Sequence, residues 1–357
     1  MIDLISFFNL LKSYTVIKIF IGSVLLGIIS GILGILFNLK KKSLIGDALS
    51  HTVLPGIALS YICFRSTSEW VIWLGAFGAS IISLFLIEII KKYSKIKSDT
   101  ILSLILTSFF GLGNVLIAYA QKETEDSSIA VLEKFILGQI ALISTENVII
   151  IAIITFISLF VIILLWKEFK IFTFDEVFAQ SIGFSNTIIK VILNTLLIGL
   201  VIISLKITGI ILTSAFLIMP GVIARHISDK LLTNIIIVSI IAFLSNFIGI
   251  MINLHIENMP TGPIIIVINV IFIFFTCLLA PKHGILRKHF KQKKYQNKIK
   301  KFKKLIHFYN NIKCDETTEI DSFLFQEKYL YKKENKIIIT AKGIQLVEDL
   351  INGKIES

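Results

Sequence analysis

Long apolar runs, rather than alternating strands or narrow helical stripes, dominate this chain. VIIIAIITFISLFVIILLW (148–166) and IIIVINVIFIFFTCLLA (264–280) contain no charged residue. A helix needs about 20 apolar residues to cross a hydrocarbon core of ~30 Å. Several such runs in one chain argue against buried helices of a soluble core, because lipid is the one solvent that tolerates them together. The pattern predicts nine spans, at 17–38, 44–64, 69–90, 100–120, 146–166, 187–206, 208–225, 232–254 and 262–280. Two places depart from simple spans. Residues 129–144, IAVLEKFILGQIALIS, are apolar but short and interrupted by Glu133, Lys134 and Gly138, which fits a short outside-facing or re-entrant helix. Only KITG separates the sixth and seventh spans, so these form either a tight hairpin or a broken helix.

Composition agrees with a membrane protein. The chain of 357 residues is 55% hydrophobic and has a mean hydropathy of +0.84, which is rare for a soluble protein of this size. Charge then sets orientation. Lys40–Lys42 follow the first span, Lys91, Lys92, Lys95 and Lys97 the third, Lys167 and Lys170 the fifth, and Arg225 and Lys230 the seventh. Basic loops stay cytoplasmic, so the N-terminus is expected outside and the C-terminus inside. Of the net +12, residues 282–357 carry +9 (18 Lys/Arg against 9 Asp/Glu), leaving +3 for the rest. A basic tail on a nearly neutral apolar body fits the cytoplasmic face of an anionic bilayer. Cys63, Cys277 and Cys314 are far apart and suggest neither a disulfide framework nor a zinc knuckle. The N-terminus reads as having no cleaved signal peptide.

The second span is the polar one. In SLIGDALSHTVLPGIAL (43–59), Asp47 and His51 stand at i, i+4 and share one helix face. Nine residues beyond Lys42, roughly 13 Å at helical rise, His51 falls near mid-membrane. A carboxylate at that depth costs at least ~2.5–3.5 kcal/mol unless paired or hydrated. Pro55 cannot donate to the His51 carbonyl, and Gly56 permits a bend beside it, so a helix break next to a pathway is expected here. Carboxylate, imidazole and free carbonyl suit a divalent cation of the Mn, Fe or Zn type. The plain alternative is a helix-start carboxylate and a histidine bonded to a neighbouring helix. Two ligands also leave a metal site incomplete. His255 and Glu257, in NLHIENMPTGP, read as a possible outer entrance or as ordinary interface residues. Asn114, Asn194 and Asn246 read as packing residues between helices, and His226 as solvated.

The loop KEFKIFTFDEVFAQSIGFS (167–185) carries Phe174, Phe178 and Ile182 at helical spacing. Asp175 and Glu176 favour a helix start, and Gly183 a stop. The result is a short helix with an apolar face, suited either to the membrane surface or to a partner's groove.

Four segments together resemble the permease subunits of manganese, zinc and iron ABC importers: SLIGDALSHTVLPGIAL, FDEVFAQSIG, SAFLIMPGVIAR (214–225) and MPTGP (259–263). The likeness covers about residues 10–283. It implies a pair of permease chains, two ATPase subunits docked beneath them, and a separate solute-binding protein outside. It places Asp47 and His51 at the metal-contacting motif, where two copies would supply four ligands. It places Asp175, Glu176, Ala179 and Gly183 at the coupling to the ATPase. The 357 residues contain no GxxxxGK[ST], so ATP hydrolysis is expected on the partner. The chain is then a transport subunit and not an enzyme. No permanent cofactor is expected; the divalent ion is cargo. Protonating His51 would repel that cargo, so transport is expected to weaken at acidic pH.

Residues 282–304 hold 11 Lys/Arg and no Asp/Glu. Beyond them, NKIIITAKGIQLVEDLI (335–351) reads as a strand, a turn at Gly343 and an amphipathic helix, with a further strand in SFLFQEKYLYKKE. This resembles the wing and following helix of winged-helix regulators, although lipid or a partner suits the basic tail better than nucleic acid. The expected architecture is therefore an all-α polytopic protein of the bacterial cytoplasmic membrane with about nine transmembrane helices, plus a small α/β winged-helix-like tail. The expected domains are a permease domain at 1–283, a basic linker at 284–304 and a cytoplasmic module at 305–357. Two rivals remain: a proton- or sodium-coupled secondary transporter using the same Asp and His, and a membrane-bound metal-responsive regulator.

Overall fold

The computed structural model describes residues 13–40, 42, 44–66, 68–123, 143–256, 261–280, 284–302, 305–306, 309, 322–333 and 336–351. The expected short helix at 129–144 lies, but for its last two residues, outside these, as do Glu257 and Cys314. The chain divides into two compact units, residues 1–282 and 283–357.

The first unit is helical throughout its described length. Its elements are α1 (Tyr14–Leu39), α2 (Ile45–Phe64), α3 (Glu69–Tyr93), α4 (Ser98–Glu123), α5 (Thr145–Leu164), α6 (Trp166–Phe174), α7 (Glu176–Ser181), α8 (Asn186–Ile227), α9 (Leu231–His255) and α10 (Thr261–Leu279). Among the described residues, eight helical segments are long and apolar enough to cross a membrane, counting α8 as two, Asn186–Leu205 and Thr208–Ile227. The span expected at 44–64 is α2, outside that count. Its 20 residues include Asp47, His51, Pro55 and two glycines, which dilute its apolarity. It is nonetheless a core helix, packed against α3, α4 and α8.

Helix α8 resolves the choice between hairpin and broken helix. Gly209 sits at φ 75°, ψ 174°, a region essentially closed to residues with a Cβ. Leu197 and Leu217, on either side of it, line one small cavity with Gly34 and Gly46. A straight helix would hold them ~30 Å apart, so the chain doubles back at Gly209. Thr213 Oγ1 donates to the Gly209 carbonyl at 2.7 Å and lies 2.9 Å from Thr208 Oγ1, closing polar groups at the reversal.

Helix α1 lies at the centre, against α5, α8 and α9. Its buried face includes Gly27 and Gly31, and Gly34 is half-buried on the same helix. Gly34 meets the Leu217 backbone, where any side chain would collide, and Gly27 meets Asn246 and Ala242 of α9. Small residues let helices approach closely when lipid gives no hydrophobic drive toward association. Large apolar side chains such as Leu74, Phe85, Phe156, Ile163 and Phe274 are exposed, as they must be where hydrocarbon is the solvent. Asn114 and Asn246 each donate to a carbonyl of their own helix, Phe110 and Ala242, and Asn246 also packs against Gly27 of α1. His226 is also half-buried and bonded to the Val222 carbonyl rather than solvated.

The second unit contains α11 (Ile285–Lys301), α12 (Ser322–Gln326), the strands β1 (Leu330–Lys333) and β2 (Lys336–Ile339), and α13 (Ala341–Ile351). The strands pair antiparallel, Leu330 opposite Ile339. Leu305, Leu324, Leu330 and Val347 form its core. The turn expected at Gly343 is absent. Gly343 lies inside α13, buried against the Tyr329 backbone, and its N–H donates to the Thr340 hydroxyl that caps the helix. The described tail is thus a hairpin flanked by helices.

Candidate functional site

Asp47 lies in the first turn of α2, where the helix dipole favours a carboxylate. One turn on, His51 Nε2 stands 3.6 Å from Asp47 Oδ1. The Asp47 side chain is 31% exposed and that of His51 19%, although most of α2 is buried. The pair therefore opens onto the surface of the single chain rather than into its core. His51 Nδ1 is buried without a hydrogen-bond partner, and the Phe110 ring of α4 meets the imidazole edge-on at 5.0 Å between centroids. The Ser214 hydroxyl, from the second limb of α8, reaches the Asp47 carboxylate. Sequence reasoning did not assign Ser214 or Phe110. Ser214 opens the SAFLIMPGVIAR segment, so a signal existed; Phe110 carried none. Among the described residues no group of three or more His, Cys, Asp or Glu could hold a metal. A single chain offers two such ligands.

Helix α2 runs through Pro55 from Ile45 to Phe64 as one helix. Pro55 and Gly56 are both buried. Gly56 packs onto Gly75 of α3, and Gly113 of α4 onto Leu54 and Pro55, so these residues bring three helices together beside His51. His255 ends α9, exposed, with Nδ1 2.9 Å from the Met251 carbonyl. Glu257 lies outside the described residues.

The basic loop after α1 meets the loop helices after α5. The expected single helix is two, because Asp175 is extended at φ −148°, ψ 100° and caps α7 by accepting from Phe178 N–H at 2.9 Å. At the other end Gly183 adopts φ 98°, and Phe184 N–H reaches back to the Ala179 carbonyl at 3.0 Å. This closes the helix as a left-handed glycine stop does. Ala179 is fully buried, whereas Phe174, Val177, Phe178 and Ile182 are 50–79% exposed. Lys40 reaches Glu176 at 2.6 Å and lies over the Phe172 ring. Burial pushes the Lys40 ammonium down to about 8 even though Glu176 supports its charge. Burial alone would raise the Glu176 carboxyl, but the hydrogen bond and charge of Lys40 hold it below the usual range. Glu88, near the basic end of α3, forms an ion pair with Lys190.

A helical bundle with exposed apolar flanks, a polar pair opening from a core helix, and a capped apolar helix at its basic end defines a multi-span membrane subunit. Residues 12–280 match the ABC 3 transport family, and the chain belongs to that family: it is the membrane subunit of an ABC transporter and not its ATPase. It is 35% identical over 267 residues to the manganese transport system membrane protein MntC of Bacillus subtilis, covering 75% of this chain and 61% of that protein. It is 30% identical over 278 residues to the zinc transport system membrane protein TroC of Treponema pallidum, covering 78% and 93%. Among solved structures, a chain of PsaBC from Streptococcus pneumoniae, in complex with a Fab, superposes with a TM-score of 0.68 at 28% identity, covering 80% of this chain and 99% of that one.

Proposed function

We propose that this chain is the permease of an ATP-driven importer that takes up manganese, zinc or iron. The observation that carries this reading is the Asp47–His51 pair, set one turn apart on a core helix and opening toward the chain surface. Carboxylate and imidazole suit these metals. Two ligands are enough to pass an ion on but too few to trap it, and conduction requires release as well as binding. In this reading nine helices cross the membrane, α2 included, with the N-terminus outside and the C-terminus inside. A second copy faces the first across α2, so that two Asp47 and two His51 surround the ion. A binding protein delivers it from outside, past His255. The ATPase docks on the apolar face of α7, with Asp175, Glu176, Ala179 and Gly183 shaping that helix. The tail of residues 284–357 is a cytoplasmic appendage with the hairpin-and-helix order of a winged-helix fragment.

The test compares wild type with Asp47→Ala in a strain dependent on this importer, at matched membrane expression and with the ATPase still bound. Cellular content of one of the three metals should fall about tenfold or more, the scale on which lost ligand support acts. Unchanged manganese, zinc and iron would leave Asp47 a structural residue and overturn its place in the path of the ion.

A further inference from the structure

A cavity of about 570 Å³ opens between α3 and the first limb of α8, at the basic end of the bundle. Lys42, Glu88, Lys91, Glu176 and Lys190 line its polar end. Glu88 is taken by Lys190, and Glu176 by Lys40. No carboxylate lies within ion-pair reach of the Lys42 or Lys91 ammonium among the described residues. Burial, then the like charges of Lys190 and Lys91, push the Lys42 ammonium below its ordinary range. A half-buried cation short of a counterion is costly until an anion joins it.

The opposite wall of the cavity is apolar: Phe77, Ile81 and Phe85 of α3 and Val191 of α8. All four side chains are 39–65% exposed. From Phe77 to Lys91 the helix rises roughly 20 Å, about one leaflet of hydrocarbon plus the start of the headgroup layer. The cavity is therefore basic at one end and apolar along the rest, with the dimensions of one amphiphile.

From this geometry we infer that the cavity holds one anionic phospholipid of the cytoplasmic leaflet, its phosphate between Lys42 and Lys91 and its acyl chains along Phe77, Ile81 and Phe85. Basic pockets between membrane helices on the cytoplasmic side recognise such headgroups. The leaflet assignment rests on the orientation proposed above; the charge and shape arguments do not. Because Glu176 starts α7 and borders the cavity, the lipid would lie directly beside the helix that meets the ATPase.

The complex of the full chain with its ATPase, purified in mild detergent, is offered phosphatidylglycerol and phosphatidylcholine of equal chain length, and retained lipid is counted by native mass spectrometry. Wild type should retain phosphatidylglycerol in preference. Lys91→Gln should lower that preference about fivefold and Lys42→Gln with Lys91→Gln roughly 25-fold, at about fivefold per lysine. Lys92→Gln, outside the cavity, should leave it unchanged. Equal retention of the two lipids, or a double variant indistinguishable from wild type, overturns the inference. Displacement by millimolar inorganic phosphate also overturns it, by making free phosphate the occupant. Lys91 is exposed, so its single variant keeps the test decisive should the Lys42 variant misfold, as judged by size-exclusion elution. Failure here leaves the Asp47 uptake experiment untouched, and failure there leaves lipid retention to stand on its own.

Discussion

Lys40 joins the loop after α1 to α7 through a single ammonium, and its titration can be followed directly. With its pKa lowered to about 8, against ~10.4 for an ordinary lysine, Lys40 loses its proton in the folded protein well before it would in the unfolded chain. Between these values the unfolded chain binds more protons, so the contribution of Lys40 to stability rises with pH there and is unfavourable below the window. NMR of ¹³C-dimethylated lysines should show one resonance with a midpoint near pH 8. Glu176→Gln, which removes the groups that support the charge, should move that midpoint lower still. A midpoint in the ordinary lysine range would refute the buried placement of Lys40. The partnership itself was not legible in the sequence. Lys40 and Glu176 are 136 positions apart, and no local pattern pairs a loop lysine with the start of a distant helix.

Among the elements, α8 and α7 carry the sharpest expectations. The reversal at Gly209 depends on a backbone conformation that costs a residue with a Cβ about 1–3 kcal/mol. Gly209→Ala should lower the unfolding temperature in detergent clearly more than Gly183→Ala, whose left-handed turn costs nearer ~1 kcal/mol. The reversed order would mean that the hairpin tolerates a side chain. On α7, Val177 is 79% exposed and takes no part in the core. Val177→Asp should leave folding unchanged but reduce ATPase co-purification about tenfold, because a charge buried in an apolar interface costs at least ~1.4 kcal/mol. Full retention of the ATPase would place its docking surface elsewhere. Eight of the nine expected spans were legible to within about three residues, since a run such as 148–166 has no competing reading. The split of the 167–185 loop was less so: Asp175 could lie within a helix or cap one, and spacing alone does not choose.

At the scale of the whole molecule, the family match ends at residue 280 and the compact units divide after Lys282. A chain truncated after Lys282 should therefore keep metal uptake within about twofold of wild type, since a unit with its own core can be removed without unmaking its neighbour. Loss of uptake with the complex intact would give the tail a role in transport and revive the regulator reading. The tail was also the least legible region. Gly343 carries the usual sign of a turn, yet a threonine three residues earlier caps a helix across it, and local propensity yields to that capping.

By itself the sequence determined the helical class, the positions of the apolar spans, the basic end of the bundle and the pairing of Asp47 with His51. Each follows from local rules: run length against membrane thickness, loop charge, and the i, i+4 repeat of a helix. Only the tertiary structure decided that the chain doubles back at Gly209 and that Ser214 and Phe110 flank the polar pair. It alone set Lys40 on Glu176 and left Lys42 without an ion pair among the described residues. These depend on which helices lie side by side, and in lipid that choice rests on close packing and a few polar contacts between residues far apart in the chain.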